Sequence, residues 1–318
     1  MLWAFLTKNP KNIFKKQTNT RLCTLFFCLN IAKSGYPRRQ FCKLTFPQDL
    51  GYDFFVRSFM FKKIILALLF VAIISCGCGK QKVVNDDFAT IVKRDKLIVG
   101  VRDDAKPFGY RDNQGKLVGY DIDLSKEIAR AILGNENKVQ YVPVTASNRI
   151  MKLNTAEVDI LIAAMSVTNQ RQQILDFSLP YFIAGQAIMV NSDSRATSIK
   201  DFYGKKMIIV FGSTSEKNLR MNVPGVVVMG YKTYPEAYQA LKARKADAMV
   251  ADDAILLRFT LSDKSVKLLP KRYSKEPYSV AFRKGEESVK LQEKVNYILE
   301  NMQSSGKLNR LQEKWGIK

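Results

Sequence analysis

Histidine is absent from this chain of 318 residues, and Cys23, Cys28, Cys42, Cys76 and Cys78, its five cysteines, all precede residue 79. Everything downstream therefore lacks disulfides and thiol nucleophiles, and the whole chain lacks His-based triads and His-ligated zinc. No catalytic residue, metal set or cofactor motif stands out. The groups left for chemistry are guanidinium, carboxylate and hydroxyl. "GSTSE" at 212–216 precedes an expected helix, and a helix start offers free N–H groups and partial positive charge to an anion. Asp252 and Asp253 head another expected helix. Each feature has a plainer explanation too: a capping box for the first, helix N-caps for the second.

The front of the chain is a different kind of element. In "MFKKIILALLFVAIISCGCGK" (60–80), Lys62 and Lys63 precede an unbroken run of eleven apolar residues, Ile64 to Ile74, then Ser75 and Cys76. A bilayer span needs roughly 20 such residues, so an export signal is favoured. Ile73-Ile74-Ser75-Cys76 resembles the lipobox of bacterial lipoproteins, which implies cleavage before Cys76 and lipidation of its thiol. Residues 60–75 then form a lipoprotein signal peptide, and 76–87 an anchor and linker. Residues 1–59 hold ten Lys/Arg against two Asp/Glu, no sustained period, and no methionine between Met1 and Met60. They read as a mis-assigned upstream extension.

The net charge of +22 overstates the basicity of the rest, because residues 1–80 hold thirteen of the 51 Lys/Arg and only two of the 29 Asp/Glu. The remaining charges are interspersed, which argues against a nucleic-acid partner. Strand and helix patterns alternate along this part. "KLIVGV" (96–101), "KLVGY" (116–120), "KVQYVPV" (138–144) and "VDILIAA" (158–164) read as strands, with helices at "DIDLSKEIARAILG" and 147–155. A second alternation follows, with strands at 206–211, 226–231 and 247–252 and helices at 235–244 and 253–263. A last helix aligns Leu291, Val295, Ile298, Leu299 and Met302. Such alternation predicts parallel or mixed sheets covered by helices. "YFIAGQAIMV" (181–190) and "YSVAF" (278–282) are the expected crossing strands between two α/β lobes. Ligands bind beyond the carboxyl ends of strands in such sheets.

"GYDIDLSKEIARAILG" (119–134) resembles the signature of the polar amino-acid solute-binding proteins of ABC transporters, family 3. "LIVGVRDDAKPFGY", "VDILIAAMSVTNQRQQILDFSLPY", "GSTSE" and "DAMVADDAIL" match in order, over about residues 88–316. The resemblance implies an α/β, two-lobed periplasmic-binding-protein fold (type II) with a hinge of two crossing segments. Residues 88–185 and 276–318 would form lobe 1, and 186–275 lobe 2. It also implies a free amino acid as ligand and an ABC permease in the membrane as partner. The expected protein is a monomer without cofactor, lipid-anchored in the periplasm or on the outer face of the cytoplasmic membrane.

Carried over by position, the α-carboxylate clamp falls on Arg171. Ala164 and Ser166 fall where backbone groups and a hydroxyl meet the ligand. Ser213, Thr214 and Ser215 fall at the anion-binding helix start, and Asp252 where a carboxylate holds the α-ammonium. Members that take neutral or basic amino acids commonly carry an acid five positions before the proline and an aromatic two before it. Arg102 and Ala105 stand there instead. A second aromatic slot holds Ala146, with Arg149 close behind. Three arginines facing a neutral ligand would leave buried cations unpaired, which points to glutamate or aspartate. Glutamine or another polar amino acid is the alternative. Tyr234 is placed as a cap from the second lobe. Asp103 and Asp104 cut the other way, since either could turn inward and favour an ammonium. A dehydratase on the same fold is the enzymatic alternative; the lack of histidine weighs against it.

Overall fold

The computed structural model describes residues 86–317. The expectations for the upstream extension, the signal peptide, the lipidation of Cys76 and the linker up to residue 85 lie outside the described residues.

Helix α1 (Asp87–Arg94) begins where the Asp86 carboxylate accepts from the Phe88 and Ala89 amides, a side-chain N-cap. Strand β1 (Leu97–Val101) is buried along nearly its whole length, as a strand covered on both faces must be. A small antiparallel sheet of β2 (Asp104–Ala105), β3 (Gly109–Arg111) and β4 (Leu117–Val118) leads into α2 (Tyr120–Leu133), which ends at Gly134 in the left-handed region. Then come β5 (Val139–Pro143), α3 (Arg149–Asn154), β6 (Ile160–Leu161), α4 (Asn169–Gln172) and β7 (Leu175–Ala184). The second run holds β8 (Gln186–Asn191), β9 (Lys206–Val210), α5 (Ser215–Asn222), β10 (Val227–Tyr231), α6 (Tyr234–Lys242), β11 (Ala248–Asp252), α7 (Asp253–Ser262) and β12 (Val266–Leu268). Strand β13 (Glu276–Arg283), α8 (Val289–Ser304) and α9 (Lys307–Trp315) return to the first sheet.

The two large sheets share one plan. The first has the order β5-β1-β6-β13-β7, the second β10-β9-β11-β8-β12. In each, three strands run parallel and the crossing strand joins antiparallel to them. The result is a two-lobed α/β fold whose sheets are linked by two crossings. Gly185 alone separates β7 from β8. A Cβ there would sit 3.0 Å from the Ser274 carbonyl and 3.2 Å from Arg272 Cβ, so a side chain would push the two crossings apart by a few tenths of an ångström.

The cores follow from periodicity. Leu291, Val295, Ile298, Leu299 and Met302 of α8 are all buried, one stripe at helical spacing. Each such side chain contributes about 1.5–3 kcal/mol when taken fully from water. Beneath the cleft, Phe108, Tyr120, Tyr181, Phe182 and Tyr278 pack mostly edge-on or tilted, with centroids such as Phe108–Tyr278 5.1 Å apart. Ring quadrupoles favour these offsets over a face-to-face sandwich.

Three expectations needed adjustment. The run at 181–190 is two strands broken at Gly185. The strand expected at 158–164 shrinks to Ile160–Leu161, because Ala164 turns to φ 45 so that its backbone can bond to side chains. The strand at 116–120 is only Leu117–Val118, the last member of the small antiparallel sheet.

Candidate functional site

The carboxyl ends of β1, β6, β9 and β11 bring most of the expected residues to one cleft. Arg102 follows β1 directly and is 1% exposed. Its Nε and one terminal nitrogen each donate to an Asp104 carboxylate oxygen at 2.7 Å. Asp104 also accepts from the Tyr234 amide of the second lobe at 3.1 Å. The Tyr234 ring lies under the Arg102 guanidinium, 5.1 Å from its carbon, within cation–π range. Burial pushes the Tyr234 hydroxyl up to about 12, with Arg102 opposing the shift. Asp103 faces away and pairs with Arg111 at 3.4 Å. Of the two carboxylates after Arg102, only Asp104 enters the cleft, and it answers the arginine.

Arg149 opens α3 and is 3% exposed. One terminal nitrogen donates to the Ala163 carbonyl at 2.7 Å and the Ala164 carbonyl at 3.3 Å, while Nε has no partner. Burial, with Arg171 and Arg102 nearby, lowers its pKa to about 9, so it stays cationic at neutral pH. Ala164 uses both backbone groups: its carbonyl meets Arg149, and its amide donates to Asp121 Oδ2 at 2.8 Å. Asp121 is wholly buried at the start of α2, with Oδ1 unpartnered. Burial raises its pKa to about 7 against the pull of the Ala164 amide.

Arg171 lies in the short helix α4, capped by the Thr168 hydroxyl. Its guanidinium reaches into the cleft and is 9% exposed. One terminal nitrogen donates to the Ser166 carbonyl at 2.8 Å, the other to the Gly212 carbonyl of the second lobe at 3.0 Å. Burial lowers its pKa, opposed by Glu276 and Asp252. Ser166 itself forms an isolated bridge to Tyr278 whose bonds are carried by Val167 and Ser279, so its own N–H is not used there.

The second lobe supplies the facing side. Ser213 donates its hydroxyl to the Val210 carbonyl, and Thr214 donates to Glu276 Oε2 while accepting from Gln186 Nε2. These hydroxyls tie the loop and the crossings together. Thr214 makes no side-chain cap at the start of α5; the Ser213 hydroxyl accepts the Ser215 amide at 3.4 Å and Glu216 pairs with Arg220, so "GSTSE" does not form the reciprocal box, and buried Ser215 is the first helical residue. Asp252 likewise does not cap α7. Its carboxylate instead accepts from the Tyr278 hydroxyl of the crossing strand. Burial raises its pKa to about 7, Glu276 adds to the rise, and the Tyr278 hydrogen bond opposes it. Glu276, 4% exposed, accepts from Ser274, Asn218 and Thr214.

The lobes touch across the cleft at Gly212, whose φ is 78; a Cβ there would lie 2.5 Å from the Ala146 carbonyl oxygen. Sequence reasoning missed Asp121, Glu276 and Tyr278 as members of this polar cluster. Asp104 was flagged without its partner, which lies two residues back across a bend at Asp103. Among the described residues no group of three metal-ligating side chains occurs, and no helix is long and apolar enough to cross a membrane. A surface cavity of about 650 Å³, lined by Asn191, Asp193, Arg195, Lys205 and Arg244 among others, lies at the opposite end of the second sheet.

A buried cleft of arginines and carboxylates between two matched α/β lobes defines a hinged binding protein for a small charged solute. Residues 97–318 match the bacterial extracellular solute-binding proteins, family 3. The chain belongs to that family. It is 35% identical over 260 residues to the ABC transporter glutamine-binding protein of Bacillus subtilis (strain 168), covering 79% of this chain and 94% of that one. It is 42% identical over 196 residues to a glutamine-binding protein of Geobacillus stearothermophilus, covering 61% and 75%. Among solved structures, an ancestral arginine-binding protein bound to glutamine matches with a TM-score of 0.66 and 40% identity, covering 70% of this chain and 98% of that one.

Proposed function

We propose that this chain binds free glutamine between its lobes and delivers it to an ABC permease, without catalysing a reaction. The arrangement around Arg171 carries the reading. A buried guanidinium with only carbonyl partners, one from each lobe, has its charge available for an α-carboxylate. Asp252, turned away from its helix, is available for an α-ammonium. Binding the carboxylate at Arg171 and the start of α5, and the ammonium at Asp252, would draw the lobes together. Glutamine rather than glutamate or aspartate is favoured by the two glutamine-binding relatives and by Asp104, which already answers the charge of Arg102. The acidic reading keeps one supporting observation: Arg149 is held by carbonyls alone and its buried Nε has no partner. An extracytoplasmic location, with a lipid anchor at Cys76, completes the proposal.

The test is calorimetric titration of free amino acids into protein stripped of ligand by unfolding and refolding. Glutamine should bind with micromolar or tighter affinity, about −8 kcal/mol or better, and glutamate about tenfold more weakly or worse. Failure of every amino acid to bind would overturn the site. A clear preference for glutamate would overturn the glutamine reading alone.

A further inference from the structure

We propose that Asp104 is the residue that makes this site select an uncharged side chain, as the built-in counter-ion of Arg102. The inference rests on reading the cleft as an amino-acid site. Arg102 is 1% exposed, and a paired carboxylate offsets much of the cost of burying its charge. Asp104 is that carboxylate: it accepts from Nε and from one terminal nitrogen at 2.7 Å, and that terminal nitrogen also lies 2.6 Å from Oδ1, a charge-assisted contact to both oxygens. The two residues flank a bend at Asp103, and their side chains meet in the cleft while the Asp103 carboxylate pairs with Arg111. The carboxylate is fixed from the opposite lobe as well. The Tyr234 amide that donates to it is the first of α6, one of the N–H groups a helix leaves unpaired, and the positive end of the helix favours a negative group there.

Asp104 is therefore a positioning residue with two consequences. It ties the lobes together when they close, and it cancels the charge of the arginine that would otherwise recruit an acidic side chain. A ligand carboxylate beside Arg102 would meet Asp104 as a like charge and would have to displace it from both the guanidinium and the helix. An amide carries no charge and faces no such repulsion. Specificity arises here from a repulsive element built against the competitor.

The experiment compares glutamine and glutamate Kd values by calorimetry in the unmodified protein, Asp104→Asn, Arg102→Met and the double variant. Loss of the latch weakens both ligands in Asp104→Asn, so the ratio of the two Kd values is the readout. That ratio is expected to move at least about tenfold toward glutamate, a change of 1.4 kcal/mol. In the Arg102→Met background the same substitution only relieves the repulsion of a bare carboxylate and frees no guanidinium for the ligand, so the shift toward glutamate should be clearly smaller. Arg102→Met alone leaves a bare carboxylate and should move the ratio further toward glutamine, which keeps the test decisive if Asp104→Asn does not fold. An unchanged ratio in Asp104→Asn, or an equal shift with and without Arg102, would overturn the inference. Failure of the unmodified protein to bind either amino acid would instead overturn the reading of the site.

Discussion

Arg102 and Arg171 are buried in the same cleft, 1% and 9% exposed, and end in opposite chemistry. Arg102 meets the carboxylate of Asp104, at the start of β2, through Nε and a terminal nitrogen. Arg171 meets two carbonyl oxygens, one in each lobe. Carbonyls satisfy hydrogen bonds and leave the charge uncompensated; a carboxylate removes both needs. A guanidinium of the first kind has its charge answered within the fold, while one of the second kind keeps a charge that an incoming anion would answer. Residue type and burial are alike at the two positions, so only the partner distinguishes them.

The largest test of that contrast is Arg171→Ala. It should weaken glutamine binding by about 3 kcal/mol, on the order of a hundredfold, because it removes the partner of the ligand carboxylate. Calorimetry reads it directly. Asp252→Asn comes next, at about 2 kcal/mol, and it carries a pH signature. Burial raises the pKa of Asp252 and of Asp121 from 3.8 to about 7. Between those values the folded state binds more protons than the unfolded chain, so these two groups stabilise the ligand-free protein below pH 4. That contribution is lost as pH rises toward about 7. Ligand affinity runs the other way. An ammonium needs ionised Asp252, so glutamine binding should weaken by up to about tenfold per pH unit below pH 7 and release protons. Titration in buffers of different ionisation enthalpy measures that release, and Asp252→Asn should reduce it.

Gly212→Ala is expected to cost about 1 kcal/mol from the left-handed φ, and because its Cβ would lie 2.5 Å from the Ala146 carbonyl oxygen the lobes must part at this contact. Solution scattering should then show less contraction on adding glutamine. The smallest effect belongs to Asp103→Asn, within about 0.5 kcal/mol of the unmodified protein in binding and stability, because Asp103 faces away from the cleft.

The sheets were legible in the sequence because strands covered on both faces read as short apolar runs, and the α8 stripe because helical spacing marks a buried face. The two crossings were legible as apolar runs at the right places, but the break at Gly185 was not, since it reflects packing against Ser274. Within the site, Arg102, Arg149, Arg171 and Asp252 could be placed by position in the family's motifs. What could not be read was who answers whom. Asp104 and Asp103 are neighbours of the same type, and only the turn of the chain decides which faces inward. Tyr278 and Glu276 entered through the crossing strand, whose sequence shows only its apolar pattern. Asp121 sits inside the family signature, yet its bond to the Ala164 amide depends on a left-handed residue that no local propensity favours.

The central claim is that the α-end of the ligand belongs to Arg171 while Arg102 keeps its own carboxylate. A crystal structure with bound glutamine tests it most directly. The expected result has the ligand α-carboxylate on the Arg171 guanidinium, the ammonium on Asp252, and the Arg102–Asp104 pair intact beside the side-chain amide. A ligand side chain bonded to Arg102 with Asp104 displaced, or an α-carboxylate bound away from Arg171, would contradict it.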